Sequence, residues 1–375
     1  MRVLIIGDFS SVAKNLCDGI NSIGHESFVI SWGDGFKRIH YSEKEAFIVP
    51  QRNYLFNGYK IKTLSLLNRI NCSFKLHKVV KKLSSKKWDV VLIVSPVFIR
   101  LPFQIWMPFF TQKMILGLAK SSSGIFLMCC GNDPISHTYW ANHPEGKMYP
   151  MLKCFKNLSF MERKKLKYYS SFINKIIPVT YGYAVPYKKS ELAKGFVVLP
   201  TIPMPINTSK FVSSNTIGKK IVIFHGINRP EQKGSPYIIE AMNKLQDKYP
   251  EKVQCIAKGN MPLSEYLELL MNSNIVVDQC YADSSGMNAL YAMAMGKVVL
   301  GGNEPENVIE FNYKVPAINI GADSDMIFNE LEKLVLRPAI IAELSKQSRE
   351  YVEKVHDYKL IAKKYISCFL DNLEY

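Results

Sequence analysis

Apolar positions along the chain switch between two periods, and the switching predicts the elements. Arg2–Ile6 is a short β-branched run that ends at Gly7, which fits a strand buried on both faces. Ser11–Ile23 then carries Val12, Leu16, Ile20 and Ile23 at helical spacing and stops at Gly24. Phe28–Ser31 returns to a strand pattern. Strand, glycine turn, helix and strand make a βαβ unit, and hence a parallel sheet with covered faces. Further buried strands are predicted at Val90–Val94, Ile125–Cys129, Ile176–Thr180 and Phe196–Leu199.

A segment rich in Pro and Ser, PTIPMPINTSKFVSSNTIG, follows Leu199 and reads as a domain boundary. A second series starts at Lys220. It predicts strands at Ile221–Phe224, Val253–Ala257, Ile275–Asp278 and Val298–Leu300. Helices are predicted at Tyr237–Leu245, Leu263–Met271 and Met287–Met295, with an amphipathic helical tail from about residue 342. Two successive α/β domains with parallel, Rossmann-like sheets follow, with ligands expected beyond the carboxyl ends of the strands. The first would span 1–205 and the second 206–355.

Charge is divided unequally between these halves. The chain has a net charge of +16. Residues 1–200 hold 29 Lys and Arg against 11 Asp and Glu, a net of +18, while residues 201–375 hold 19 against 21, a net of −2. A basic half beside a neutral one fits an anionic partner on one side only, or simply a well-solvated surface. The eight cysteines include no CxxC pair, so neither a disulfide framework nor a zinc site is expected, and the usage fits a reducing cytosol. The N-terminus enters a strand directly and reaches Asp8, unlike a signal peptide. The most apolar stretch, Val97–Leu118, is interrupted by Arg100, Pro102, Pro108 and Lys113, short of the roughly 18–20 clean residues of a spanning helix.

The chemistry concentrates after strand Ile275–Asp278. A loop, CYADSSG, leads into the helix MNALYAMAM. Ser284, Ser285 and Gly286 are small, and backbone N–H groups stand free at the helix start, where the macrodipole attracts an anion. Asp283 is placed to accept hydrogen bonds from hydroxyls, although small and acidic residues also serve as ordinary helix caps. The loop after the first strand of this domain carries Gly226, Arg229 and Lys233. Two cations there suit a pyrophosphate that gains charge on leaving, although solvated surface cations on a loop are the commoner fate of Arg and Lys. A third loop at the same edge is Lys258-Gly259-Asn260.

In this order and spacing, Ile221–Gly302 resembles the donor domain of the retaining family 4 of GT-B glycosyltransferases. The resemblance implies a GT-B fold, a nucleoside-diphosphate sugar as donor, and a saccharide or lipid-linked acceptor held by the first domain. It implies that Arg229 and Lys233 bind the diphosphate, that Gly286, Met287 and Asn288 offer it backbone donors, that Asp283 holds the donor sugar, and that Tyr291 stands where the family holds the ribose. It further implies retention of configuration, a C-terminal helix 356–375 that crosses back to the first domain, and cations rather than a bound metal at the phosphates. Three features depart from the family. Asp283 and Tyr291 occupy the places of two glutamates, and the Gly226–Lys233 interval is one residue longer.

In the first domain the turn after strand one is Gly7-Asp8-Phe9-Ser10-Ser11, without GxGxxG, and no acidic residue ends strand two. That argues against a dinucleotide dehydrogenase. Asp8, Ser10, Asn132 and His137 are the candidates on the acceptor side. Asp133 either orients the acceptor hydroxyl, or acts as a base in an inverting reaction, or caps a helix. Two stretches, Lys75–Trp88 and Phe98–Phe110, with Arg163, Lys164, Lys165 and Lys167, fit either an anionic membrane surface or a wet lysine-rich helix beside aromatic core. Asp323-Ser324-Asp325 looks like a metal-binding DxD but precedes a helix, where capping explains it. No metal, cofactor or nucleic acid is expected. The resemblance implies a bacterial surface polysaccharide as product class, and a cytoplasmic location, peripheral at the inner membrane, is expected. An epimerase acting on sugar nucleotides and a non-catalytic basic binding protein are the alternatives.

Overall fold

The computed structural model describes residues 1–31, 39–48, 55–56, 59–60, 74–75, 77–96, 117–118, 122–131, 133–173, 175–227 and 229–373. The aromatic stretch Phe98–Phe110 and the candidate Asn132 lie outside the described residues. The first series of strands is β1 (Arg2–Ile6), β2 (Glu26–Ser31), β3 (Ala46–Ile48), a small hairpin of β4 (Leu55–Phe56) and β5 (Tyr59–Lys60), β6 (Trp88–Val94), β7 (Ser122–Cys129), β8 (Lys175–Pro178) and β9 (Val197–Val198). Apart from the hairpin they form one seven-stranded sheet in the order β3-β2-β1-β6-β7-β8-β9. Every pairing in it is parallel. Strand order reverses at β1, so the loops after β1 and β6–β8 open at a switch point.

The second sheet contains β10 (Ile221–Ile227), β11 (Val253–Gly259), β12 (Ile275–Val277), β13 (Val298–Gly301) and β14 (Ile318–Asn319). Its order is β11-β10-β12-β13-β14, again all parallel. Central strands are covered on both faces, so their side chains are apolar throughout: Val3, Leu4, Ile5 and Ile6 of β1 are buried, as are Ile275, Val276 and Val277 of β12. The chain thus builds two α/β units, each on its own parallel sheet.

The chain passes between the sheets twice, through the segment after β9 and again after helix Pro338–Tyr351. The two passages bind each other. Ile206 N donates to His356 O at 2.8 Å, and Tyr358 N donates to Ile206 O at 2.9 Å. The final helix, Tyr358–Asn372, then lies on helix Val12–Ser22 of the first domain. The approach is close enough that a Cβ on Gly19 would stand 2.3 Å from Tyr358 O. Phe369 meets Phe126 of β7 with ring centroids 4.8 Å apart.

The tail differs from a single amphipathic helix. A π-turn, Val352–His356, separates two helices, and Asp357 restarts the second by accepting from Lys359 N and Leu360 N. Three helices of the first domain carry no readable stripe in the sequence: Pro134–Trp140, Phe160–Ser170 and Tyr181–Lys189. Phe160–Ser170 is polar around most of its circumference, and Tyr181–Lys189 contains Gly182 and Pro186, which read as breakers. Asp323 accepts from Asp325 N and Met326 N, so the DSD sequence is a helix N-cap. No described helix is long and apolar enough to cross a membrane.

Candidate active site in the cleft

The carboxyl ends of β10, β12 and β13 place three loops together, and these face the first domain. β12 ends at Val277, and Asp278 follows at the sheet edge with 3% exposure. Its Oδ1 accepts from Lys233 Nζ at 2.7 Å, and Lys233 is 4% exposed. Lys233 is carried by the short helix Pro230–Lys233, which stops at Gly234 with φ +68°. A Cβ there would stand 2.1 Å from Cys280 Sγ, so the turn after Lys233 requires glycine on both counts. The expected diphosphate lysine is therefore buried against Asp278 at the sheet edge, not extended into solvent. Arg229 is exposed at the start of the same loop, and its charge is felt across the cleft at His137 and Tyr183.

His225, one residue before Gly226, completes this corner and was not singled out in the sequence. It is fully buried. Nδ1 faces Val277 O at 2.7 Å and Nε2 faces Ser235 Oγ at 2.8 Å. A carbonyl only accepts, so Nδ1 carries the proton and Nε2 accepts from the serine hydroxyl. Burial and then the nearby Lys233 push its pKa down to about 4, so the imidazole is neutral. A histidine at a strand end next to a glycine was the available signal, but such residues are common in cores.

The loop after β12 is tied to the loop after β13. Ser284 Oγ donates to Asn307 Oδ1 at 2.6 Å, Asn307 Nδ2 donates to Asp283 O at 2.7 Å, and Ser285 Oγ donates to Gly302 O at 3.3 Å. Gly286 is the N-cap of helix Met287–Ala294 and makes no side-chain cap. Met287 is buried and Asn288 half-buried at that helix start. The Asp283 side chain is 5% exposed, and among the described residues its Oδ2 has no hydrogen-bond partner. A Cβ on Gly182 of the first domain would stand 3.4 Å from that oxygen, so glycine keeps the approach open. Burial, then Glu304, raise the Asp283 pKa to about 7, with Glu306 adding and Lys147 opposing. A buried carboxyl with an unused acceptor can take hydroxyl donors, and desolvation makes that oxygen costly to leave unpaired.

Other candidates are placed differently. Asp133 is fully buried and caps helix Pro134–Trp140: its Oδ1 accepts from Ile135 N and Ser136 N, and its Oδ2 from Tyr187 OH at 2.9 Å. Its acceptor positions are used inside the domain, and burial raises its pKa to about 6. Of the roles weighed for Asp133, the structure gives the helix cap and corrects the base facing the cleft, because the carboxylate is held by Ile135 N, Ser136 N and Tyr187 OH. Asp8 is likewise fully buried, accepting from Ala13 N at 2.9 Å and from Tyr41 OH. Tyr291 does not present an open hydroxyl. Its OH donates to Ser10 O of the first domain at 3.1 Å, a bond across the domain boundary. Ser10 itself adopts φ +51°.

His137 is half-buried and faces Arg229; burial, then that cation, lower its pKa to about 4. Gly226 is buried beneath Tyr266. Lys258 is exposed and paired with Glu265 at 2.5 Å, while Gly259 abuts Ile227 O and Asn260 is exposed with φ +57°. These three sit at the outer strand, away from Asp283. Lys147 is a first-domain residue that the sequence did not mark. It reaches Glu304 Oε1 at 2.9 Å and Asn319 Oδ1 at 2.6 Å. Among the described residues no group of three or more His, Cys, Asp or Glu could hold a metal.

No family model matches the sequence, and no curated protein matches it. Solved structures do. Sucrose-phosphate synthase from Thermosynechococcus elongatus aligns over 99% of this chain and 99% of its own, at 12% identity and a TM-score of 0.64. The Anabaena protein HepE in complex with UDP-glucose aligns over 99% of this chain and 100% of its own, at 12% identity and a TM-score of 0.57. A Listeria monocytogenes protein assigned as UDP-N-acetylglucosamine 2-epimerase aligns over 100% and 96%, at 13% identity and a TM-score of 0.54. At such identities the likeness establishes the fold: this is a two-domain GT-B chain.

Proposed function

We propose that the chain is a glycosyltransferase that moves a sugar from a nucleoside-diphosphate sugar to a carbohydrate or lipid-linked acceptor. The observation that carries this reading is the buried Asp283 carboxyl, with an unused acceptor oxygen turned toward the first domain, beside a bare helix N-terminus and the Lys233 corner. The helix start and Arg229 suit the diphosphate, and Asp283 suits sugar hydroxyls. The UDP-glucose complex of the similar HepE supports a nucleotide-sugar donor.

In this reading the donor sits on the second domain and the acceptor on the first. Transfer proceeds with retention, and the departing phosphate helps to deprotonate the acceptor hydroxyl. Shutting of the cleft excludes water and limits donor hydrolysis. The product class is a bacterial surface polysaccharide such as O-antigen, capsule or lipopolysaccharide. The lysines of 75–87, exposed on the first domain, with exposed Phe74 and Phe160, favour work at the anionic cytoplasmic membrane face.

The test is a thermal-shift screen across nucleoside diphosphates and their sugars, followed by turnover with saccharide acceptors. A stabilising shift with one nucleotide, and release of free nucleoside diphosphate only when acceptor is present, supports the reading; no shift with any of them refutes it. The Listeria likeness motivates an epimerase as second reading. An epimerase would convert the nucleotide sugar without an acceptor and without releasing free nucleoside diphosphate.

A further inference from the structure

We propose that Lys147 is a positioning residue for the donor-sugar site: it reaches across from the first domain and holds Asp283 as a hydroxyl acceptor. The inference rests on the transferase reading above.

Lys147 follows helix Pro134–Trp140 and belongs to the first domain by chain position, yet both its partners belong to the second. Its Nζ donates to Glu304 Oε1 and Asn319 Oδ1, and Asn319 Nδ2 donates to the same Glu304 oxygen at 3.0 Å. The Lys147 side chain is 14% exposed, so the contact is largely out of water. Glu304 in turn bonds to the Asp283 backbone, its N–H donating to Asp283 O at 2.9 Å. Lys147 thus fixes the segment that fixes Asp283.

The charges around Asp283 give this contact a chemical consequence. Glu304 and Glu306 of the second domain face it as like charges, Tyr181 faces it from the first domain, and Lys147 is the cation that opposes them. Without Lys147, the charge on Glu304 stands uncompensated beside a buried carboxyl. Asp283 then holds its proton to still higher pH, and a protonated oxygen donates where a sugar hydroxyl needs an acceptor. Shutting of the first domain onto the second therefore brings in the charge that makes the donor-sugar residue competent.

The experiment uses the full chain, with Asp283 followed by carboxyl carbon NMR through a pH titration and its resonance identified by loss in Asp283→Asn. In Lys147→Met the midpoint should move to higher pH, and the acid limb of sugar transfer should move with it. Lys147→Arg should lie near the wild type. Glu304→Gln, which removes the opposing charge, should move the midpoint to lower pH. Thr201→Val removes a different contact between the domains, the hydroxyl bond to Glu310, and should leave the midpoint in place. An unchanged midpoint in folded Lys147→Met overturns the proposal. An equal shift in Thr201→Val also overturns it, because any loosened domain contact would then suffice. A midpoint that shifts as expected in a protein without nucleotide-sugar turnover supports the Lys147–Asp283 coupling and removes the transferase reading instead.

Discussion

Lys233 and Asp278 form an ion pair withdrawn from water, Nζ to Oδ1 at 2.7 Å, with side chains 5% and 3% exposed. Removing one partner of such a pair strands the other as a buried charge, at a cost of about 3–5 kcal/mol. Lys233→Ala should therefore lower stability substantially in urea unfolding, besides weakening nucleotide binding. Lys233→Met combined with Asp278→Leu should recover much of the stability and none of the binding. A single Lys233→Ala variant as stable as the wild type would contradict the burial of this pair.

Arg229 offers the opposite case. It is exposed, so Arg229→Ala should leave the unfolding free energy within about 0.5 kcal/mol of wild type, as surface substitutions usually do. Donor binding should fall. Arg229 also helps to hold the His137 pKa down, so in the variant His137 should titrate at higher pH by proton NMR.

Asp283 predicts a pH-dependent stability with a definite sign. Its pKa is raised from 3.8 to about 7, so folding favours the protonated form. The contribution is fully present below about pH 4 and is lost as pH rises through about 7. A shift of this size corresponds to at most about 4–5 kcal/mol, at about 1.4 kcal/mol per pH unit. Asp283→Asn should raise the melting temperature at pH 8 and change it little at pH 4, while abolishing sugar transfer. A loss of stability at pH 8 would count against the buried, unpartnered carboxyl.

Tyr291 ties the domains through its bond to Ser10 O. Tyr291→Phe keeps the ring against Phe211 and removes one hydrogen bond, worth about 1 kcal/mol. The cleft should open more often, visible as a larger radius of gyration in X-ray scattering without ligand. An unchanged radius would show that the remaining contacts, Lys147 among them, hold the cleft alone.

Much of the second domain was legible in the sequence because its signals are local. Gly234 and Gly286 mark turns, and the apolar runs Ile221–Phe224 and Ile275–Asp278 fall on the strands Ile221–Ile227 and Ile275–Val277. Leu263–Met271 has the bounds its periodicity predicts. The first domain was harder. Helix Tyr181–Lys189 forms despite Gly182 and Pro186 because Trp140 Nε1 and Ser136 Oγ both donate to Gly182 O, contacts 42 and 46 residues away.

The sequence by itself determined most strands of the two sheets, the second-domain helices between them and the helix start at Gly286. These follow from periodicity and turn chemistry within a few residues. Tertiary structure alone decided which polar groups face the cleft. Asp133 and Asp8 turned inward to satisfy backbone N–H groups, and Tyr291 spent its hydroxyl on Ser10. Lys147 reached a carboxylate 157 residues away. The Tyr291 and Lys147 contacts depend on how two domains meet, and a side chain's partner across that boundary leaves no periodic trace along the chain.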